Sequence, residues 1–224
     1  MIRILCLLSI VTLSVSAGRA DQYWFAYEAT DRFPEEEGWT RGTSAGGATR
    51  FLDQGDLVID SRASIKISDF YRMDLAGHLD PGPGETFLAR WRVLIEESNG
   101  TLGDLIVDIR SDGRWAALFH MSENALGNLF EPGLSVPFEP GVYHEFDLRS
   151  SDMRTYELRI DGKLMTTGRF RQGVFQSDVT WGDGIQGSSS LSRWDYFRFG
   201  VVPEPATGLL YLTLLAARRR VARL

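Results

Sequence analysis

Phe87-Leu88-Ala89-Arg90-Trp91-Arg92-Val93-Leu94-Ile95-Glu96 decides the fold. Phe87, Ala89, Trp91, Val93 and Ile95 recur with a period of two, while Arg90, Arg92 and Glu96 fall on the other side. That is the pattern of a strand with one face in a core. Asn99-Gly100 then turns the chain into Leu105–Ile109, and Asp112-Gly113 turns it into Trp115–Phe119. Both dipeptides supply the φ > 0 positions of tight hairpins. Further along, His144, Phe146 and Leu148 alternate with Glu145, Asp147 and Arg149. Tyr156, Leu158 and Ile160 run into Asp161-Gly162 and on to Leu164-Met165. Earlier strands are predicted at Tyr23–Tyr27, Leu57–Ile59 and Ile65–Asp74, and a last one at Arg193–Val201. Between 21 and 200 no helical period persists for two turns; Ala116–Leu129 comes nearest and reads as strand then loop. Many short strands with Gly-rich connections predict an all-β chain, an antiparallel β-sandwich or jelly roll.

Composition narrows the function. The chain has 224 residues, 43% hydrophobic and 24% charged, with one cysteine and a net charge of −6. That suits one mid-sized folded domain. It excludes a disulfide scaffold or a multi-cysteine zinc site. An acidic balance argues against a nucleic-acid partner, which needs clustered Lys and Arg. The charge is uneven: residues 21–200 hold 18 basic and 29 acidic side chains, whereas both ends are basic and apolar.

Those ends read as addresses. Arg3 precedes an apolar run from Ile4 to Val15, and small residues follow, so 1–20 is predicted to be a signal peptide cut after Ala20 or, alternatively, Ala17. Cys6 leaves with it. At the other end Pro203-Glu204-Pro205 precedes an apolar stretch, Ala206 to Ala217, and then Arg218, Arg219, Arg220 and Arg223. As a helix the apolar stretch spans roughly 18 Å against roughly 30 Å of hydrocarbon, short for a permanent span. The arginines hold the cytoplasmic side. This ending resembles the PEP-CTERM sorting signal. The resemblance implies an exosortase and a signal peptidase as processing partners, transient residence in the inner membrane, and delivery to the cell envelope, surface or extracellular matrix. The domains are therefore predicted as signal peptide 1–20, sandwich 21–201 and sorting signal 202–224.

The body has a second resemblance. Gly141-Val142-Tyr143-His144-Glu145-Phe146, then Tyr156–Gly162, then Trp194-Asp195-Tyr196-Phe197-Arg198 are similar to the concanavalin A-like lectin/glucanase fold of the laminin-G-like kind. The resemblance implies carbohydrate or protein binding in many members, glycoside hydrolysis in some and calcium in some.

Chemistry-bearing motifs are sparse. Gly42-Thr43-Ser44-Ala45-Gly46 matches a nucleophile elbow, but no helix pattern follows Ser44, so it reads as a Gly-rich loop. Gly182–Gly187 matches a dinucleotide fingerprint and likewise leads into no helix. The glucanase pattern resembles Glu-x-Asp-x-Glu; the nearest stretch here is Glu145-x-Asp147-x-Arg149, whose last carboxylate is missing. Asp104 and Asp108 share a strand face with no Glu beside them. His78, His120 and His144 show no metal-ligand spacing, so no metal site is predicted, and no cofactor. Asp53/Asp56 or Asp178/Asp183 could offer oxygens to the calcium that the fold implies, although solvated acidic loops account for them as well. Trp115 and Trp181 lie beside loops and are the candidate sugar platforms, with burial in the core an equal alternative. Trp91 and Trp194 belong to the core. The sum is an exported, non-catalytic binding module for polysaccharide; the alternative is a hydrolase or lyase acting on glycans with the same fold.

Overall fold

A computed structural model of the chain describes residues 25–44, 46–63, 68–75, 79–99, 104–111, 114–183 and 189–203. Sixteen antiparallel strands make two sheets. In chain order they are β1 Phe25–Glu28, β2 Thr40–Ser44, β3 Thr49–Asp53, β4 Asp56–Asp60, β5 Ser68–Asp74, β6 Glu85–Ser98, β7 Leu105–Ser111 and β8 Trp115–Met121. Then come β9 Ala125–Asn128, β10 Glu131–Pro137, β11 His144–Ser150, β12 Thr155–Ile160, β13 Lys163–Arg169, β14 Arg171–Gln172, β15 Asp178–Asp183 and β16 Ser190–Pro203. Sheet A runs β13-β12-β11-β6-β16-β4-β3, and β1 takes the part of the β16 edge that β4 leaves. Sheet B runs β10-β9-β8-β7-β15-β5-β2, and β14 takes the part of the β8 edge that β9 leaves.

Alternation does the rest. Trp91, Phe146, Trp194, Phe197 and Phe199 point inward from sheet A, and Tyr71, Val107, Phe119 and Trp181 from sheet B, all buried. The rings interlock: Trp181 stacks on Phe197 at 5.4 Å and 5°, and Trp91 on Phe146 at 5.3 Å and 6°. Trp39, brought in after a short 3-10 turn at Pro34–Glu37, meets Trp181 and Phe197 edge-on. Offset and edge-to-face geometries are those that aromatic quadrupoles favour.

The Asp161-Gly162 turn joins β12 to β13 as predicted, with φ of 52° and 77°, the left-handed pair of a type I′ hairpin. Gln54-Gly55 does the same between β3 and β4, at 55° and 90°. The hairpin predicted at Asn99-Gly100 is absent. β6 belongs to sheet A and β7 to sheet B, so the chain crosses between sheets there, and Asn99 spends its amide oxygen on the Ser189 N–H at 2.7 Å. Ala125–Asn128 and Glu131–Pro137, the former predicted as loop, are paired strands. β2, β14 and β15 also went unpredicted. β16 continues past Val201 to Pro203, which pairs with Glu85. The predicted signal peptide at 1–20, with Ala17 and Ala20, lies outside the described residues, as do Glu204, Pro205, Arg218, Arg219, Arg220 and Arg223. Among the described residues no helix is long and apolar enough to cross a membrane.

Candidate functional site

Each sheet turns one face away from the core, and the two outer faces differ in how their polar groups are used. On sheet A almost every charge has a partner. Asp147 accepts from Arg90 and Arg149, at 2.7 Å each, and Arg198 grips Glu28 at 2.5 Å. Arg193 bridges Asp53 and Glu96, Arg92 holds Asp195, and the Tyr196 hydroxyl donates to Glu145. Burial opposes ionisation of Asp147, but hydrogen bonds from Arg149 and Arg90 outweigh it and leave the carboxyl below its ordinary range. Glu145 and Asp147, the nearest match to a glucanase pair, are thus held by a tyrosine and two arginines.

Sheet B is different. In β7, Leu105, Val107 and Ile109 enter the core, so Ile106, Asp108 and Arg110 face out. In β15, Val179 and Trp181 enter, so Asp178, Thr180 and Gly182 face out; in β5 the outward residues are Phe70, Arg72 and Asp74. The register lines these up in rows. One row reads Gly127, His120, Ile106, Gly182, Phe70, Gly42 across β9, β8, β7, β15, β5 and β2, about 24 Å at the usual strand spacing. The next reads Leu118, Asp108, Thr180, Arg72, and the third Ala116, Arg110, Asp178, Asp74.

Three glycines shape the first row. The Phe70 ring lies over β2, where a Gly42 Cβ would come within 2.3 Å of it, and the His120 ring lies over β9, 2.5 Å from the position of a Gly127 Cβ. Between the two rings Gly182 has φ +124°, and its Cβ would meet the Asp69 carbonyl oxygen at 2.8 Å. The rings therefore lean apart over β9 and β2, and the strip between them, the trough, has the buried Ile106 and Gly182 at its floor.

Beside the trough sit polar atoms without hydrogen-bond partners. Asp108 is 3% and Asp178 1% exposed. Asp108 Oδ2 takes Arg110 at 2.5 Å while its Oδ1 has no hydrogen bond; neither Asp178 oxygen has one, although Oδ2 lies 3.3 Å from Arg72 and 3.8 Å from Arg110. The Nε of Arg72 is also unsatisfied. Burial pushes Asp108 up to about 6, against the pull of Arg110, and raises Asp178 against the pull of Arg110 and Arg72. A buried carboxylate oxygen without a donor costs about 1–3 kcal/mol.

The predicted platforms part company. Trp181 is fully buried between the sheets and presents no face to a ligand, since β15 is a central strand and position 181 points inward. Trp115 is half-buried at the start of β8, with Arg154 above its ring at 5.8 Å. Asp178 and Asp183 stand at opposite ends of β15 on opposite faces, so they cannot share an ion. Asp53 is taken by Arg193, and Asp56 accepts from Tyr143. Among the described residues no group of three His, Cys, Asp or Glu is placed to hold a metal. His78 lies outside the described residues, and His144 is buried, its Nδ1 2.6 Å from Asp161. Ser44 ends a strand, its hydroxyl 2.7 Å from that of Ser68, which is no nucleophile elbow. Phe70, His120 and Arg72 had no motif to announce them; the signal was the alternation of Asp178, Thr180 and Gly182 with Val179 and Trp181.

No family model matches this chain, and no curated protein does. Solved structures do. A conserved carbohydrate esterase from a Shiga toxin-encoding bacteriophage matches with TM-score 0.57 at 13% identity, over 83% of this chain and 100% of that one. A sialidase matches at 0.54 and 12%, over 84% of this chain and 18% of its own. The cellulose-induced protein Cip1 matches at 0.52 and 9%, over 80% and 96%. At these identities the likeness is one of fold: a two-sheet antiparallel sandwich of the kind found in proteins named for carbohydrate.

Proposed function

We propose that the protein is a non-catalytic module that binds polysaccharide on the outer face of sheet B. The unpartnered buried oxygens of Asp108 and Asp178, beside a trough between the Phe70 and His120 rings, carry this reading. Carboxylate acceptors and an aromatic edge suit a polyhydroxyl ligand: hydroxyls donate to the acids, and ring C–H faces pack on Phe70. The likeness in fold to a carbohydrate esterase, a sialidase and Cip1 supports it. Affinity electrophoresis in neutral polysaccharide gels, with a parallel assay of reducing-end release, tests it. Phe70→Ala and Asp178→Asn are expected to abolish retardation with no turnover in any sample; retardation unchanged in both variants overturns the reading.

One observation favours glycan hydrolysis instead. Asp108 and Asp178 are diagonal neighbours on adjacent strands, which sets two carboxyl groups on one face of sheet B, as a pair of acids in a hydrolase requires. Asp108, pushed up to about 6, would be the acid. Release of reducing ends that Asp108→Asn abolishes establishes this alternative.

We further propose that the module is exported and sorted to the envelope or matrix through Pro203-Glu204-Pro205, by an exosortase acting after signal peptidase, with the tail passing through the inner membrane. The order of motif, apolar run and arginine cluster supports this. Replacing the motif by three alanines is expected to block processing and change location.

A further inference from the structure

Sixteen arginines lie among the described residues, and twelve of them hold a carboxylate within 4.0 Å. The remaining four are Arg114, Arg154, Arg169 and Arg171, all exposed. They gather at one corner of the sandwich. β14 pairs Arg171 with Ala116 and Gln172 with Trp115; the Gly173 N–H donates to the Arg114 carbonyl at 2.8 Å, and the Phe170 N–H to that of Arg154 at 2.9 Å. Arg169 faces Thr155, next to Arg154, across β12 and β13. In a chain of net charge −6, the described arginines without a carboxylate sit on neighbouring segments along one edge of the sandwich, Arg171 beside Ala116 and Arg154 over Trp115 on opposite sides of β8.

Among the described residues, Glu131 and Asp152 are the acids nearest in the chain or across the pairing, and both are occupied by other groups. Glu131 accepts the Arg169 backbone N–H at 2.7 Å and the Tyr156 hydroxyl at 2.5 Å. Asp152 accepts the backbone N–H groups of Arg154 and Thr155 at 2.8 and 2.9 Å. Two of the guanidiniums rest on rings instead, Arg154 over Trp115 at 5.8 Å and Arg171 over Phe130 at 5.1 Å. A guanidinium stacked on a ring keeps its fork of donors pointing outward and loses less freedom when it engages an acid. The fork matches a planar carboxylate with two parallel hydrogen bonds.

We propose that this corner is a second binding site, for a uronate-bearing polysaccharide, with the arginine forks on its carboxylates and the edges of Trp115 and Phe130 beside its sugar rings. It is distinct from the trough: Arg171 stands beside Ala116 at the end of the third row of sheet B, and none of the four arginines belongs to the row between Phe70 and His120. An anionic membrane is the competing partner, since Leu129 and Val174 are exposed beside Phe130 and Phe175, whose rings meet at 6.1 Å; this group of four is small for an interfacial element, and the guanidinium forks match a planar carboxylate.

The experiment is affinity electrophoresis and calorimetry of the full chain with polygalacturonate, with neutral dextran and with phosphatidylglycerol vesicles, in low and high salt. Polygalacturonate is expected to bind and to be released by high salt, since exposed charge pairs are screened. The double variant Arg154→Gln/Arg171→Gln is expected to bind it about tenfold more weakly, two exposed ion pairs having gone. The conservative Arg154→Lys/Arg171→Lys keeps charge but not the fork and is expected to fall between. Thermal melting of each variant within a degree or two of the parent separates lost recognition from lost folding. Wild-type strength in the double Gln variant overturns the proposal, and so does binding to the vesicles without binding to polygalacturonate. Loss of any neutral-glycan binding in Phe70→Ala, with polygalacturonate binding intact, separates the fate of this site from that of the trough.

Discussion

The two outer faces come from the same alternation and the same core, yet they solve the problem of charge in opposite ways. On sheet A, Arg90, Arg92, Arg193 and Arg198 each find a carboxylate on a neighbouring strand. On sheet B, Asp108 and Asp178 are buried more deeply and keep oxygens without hydrogen bonds. A face whose charges satisfy one another has nothing left to offer a ligand. A face with acceptors left over, and with rings set aside by glycines, is the one on which we place the proposed ligand. Pairing, more than the number of charges, separates a structural face from a binding one.

Both faces rest on Trp181, so removing it tests whether they stand or fall together. Trp181→Ala leaves a large hole among Tyr71, Trp39, Trp194 and Phe197 and is expected to cost about 3–5 kcal/mol, read from urea denaturation, with both sites lost.

A pH series sharpens the contrast further. Asp108 has a folded pKa of about 6, above its ordinary value, so its contribution is fully present below about pH 4 and is lost as pH rises towards 6, about 1.4 kcal/mol per unit at most. Asp147 has a lowered folded pKa, so its contribution is present above the ordinary value and is lost on acidification. Asp108→Asn is expected to flatten the stability profile between pH 4 and 6, and Asp147→Asn to flatten it at the acid end. Identical profiles for the two variants would erase the distinction between the faces.

A smaller change breaks one face alone. Gly182→Ala places a methyl 2.8 Å from the Asp69 carbonyl oxygen at a φ that side chains avoid. It is expected to destabilise by about 1–3 kcal/mol and to distort the trough, so neutral-glycan binding drops beyond what the loss of stability explains. Smallest of all, Arg198→Gln on sheet A removes a part-exposed pair with Glu28 and is expected to shift stability by less than about 1 kcal/mol, with glycan binding unaltered.

Much of the architecture was legible because it rests on period and turn chemistry. Phe87–Ile95 reads as a half-buried strand and is one, and Asp161-Gly162 turns as its residue types demand. β15 escaped because Asp178, Gly182 and Asp183 are poor strand formers, and the central position that overrides their preference comes from β5 and β7 on either side. Asn99-Gly100 misled for a related reason: a turn dipeptide fixes local φ and ψ but not which sheet receives the next strand. Of the site, Asp108 and Asp178 were visible as acids and Trp115 as a ring beside a loop, whereas Phe70 and His120 carried no pattern.

By itself, the sequence determined the all-β class, most of the inward-facing residues, and the acidic body between two basic, apolar ends. These follow from side-chain period and composition, which are local. Tertiary structure alone decided which residues meet. The register across six strands of sheet B sets His120, Gly182 and Phe70 in one row. The pairing of β14 with β8 sets Arg171 beside Ala116, and the placement of β15 turns Trp181 into the core. The physical reason is that strand partners lie tens of residues apart in the chain, while hydrogen-bond register fixes their side chains within one strand spacing of each other.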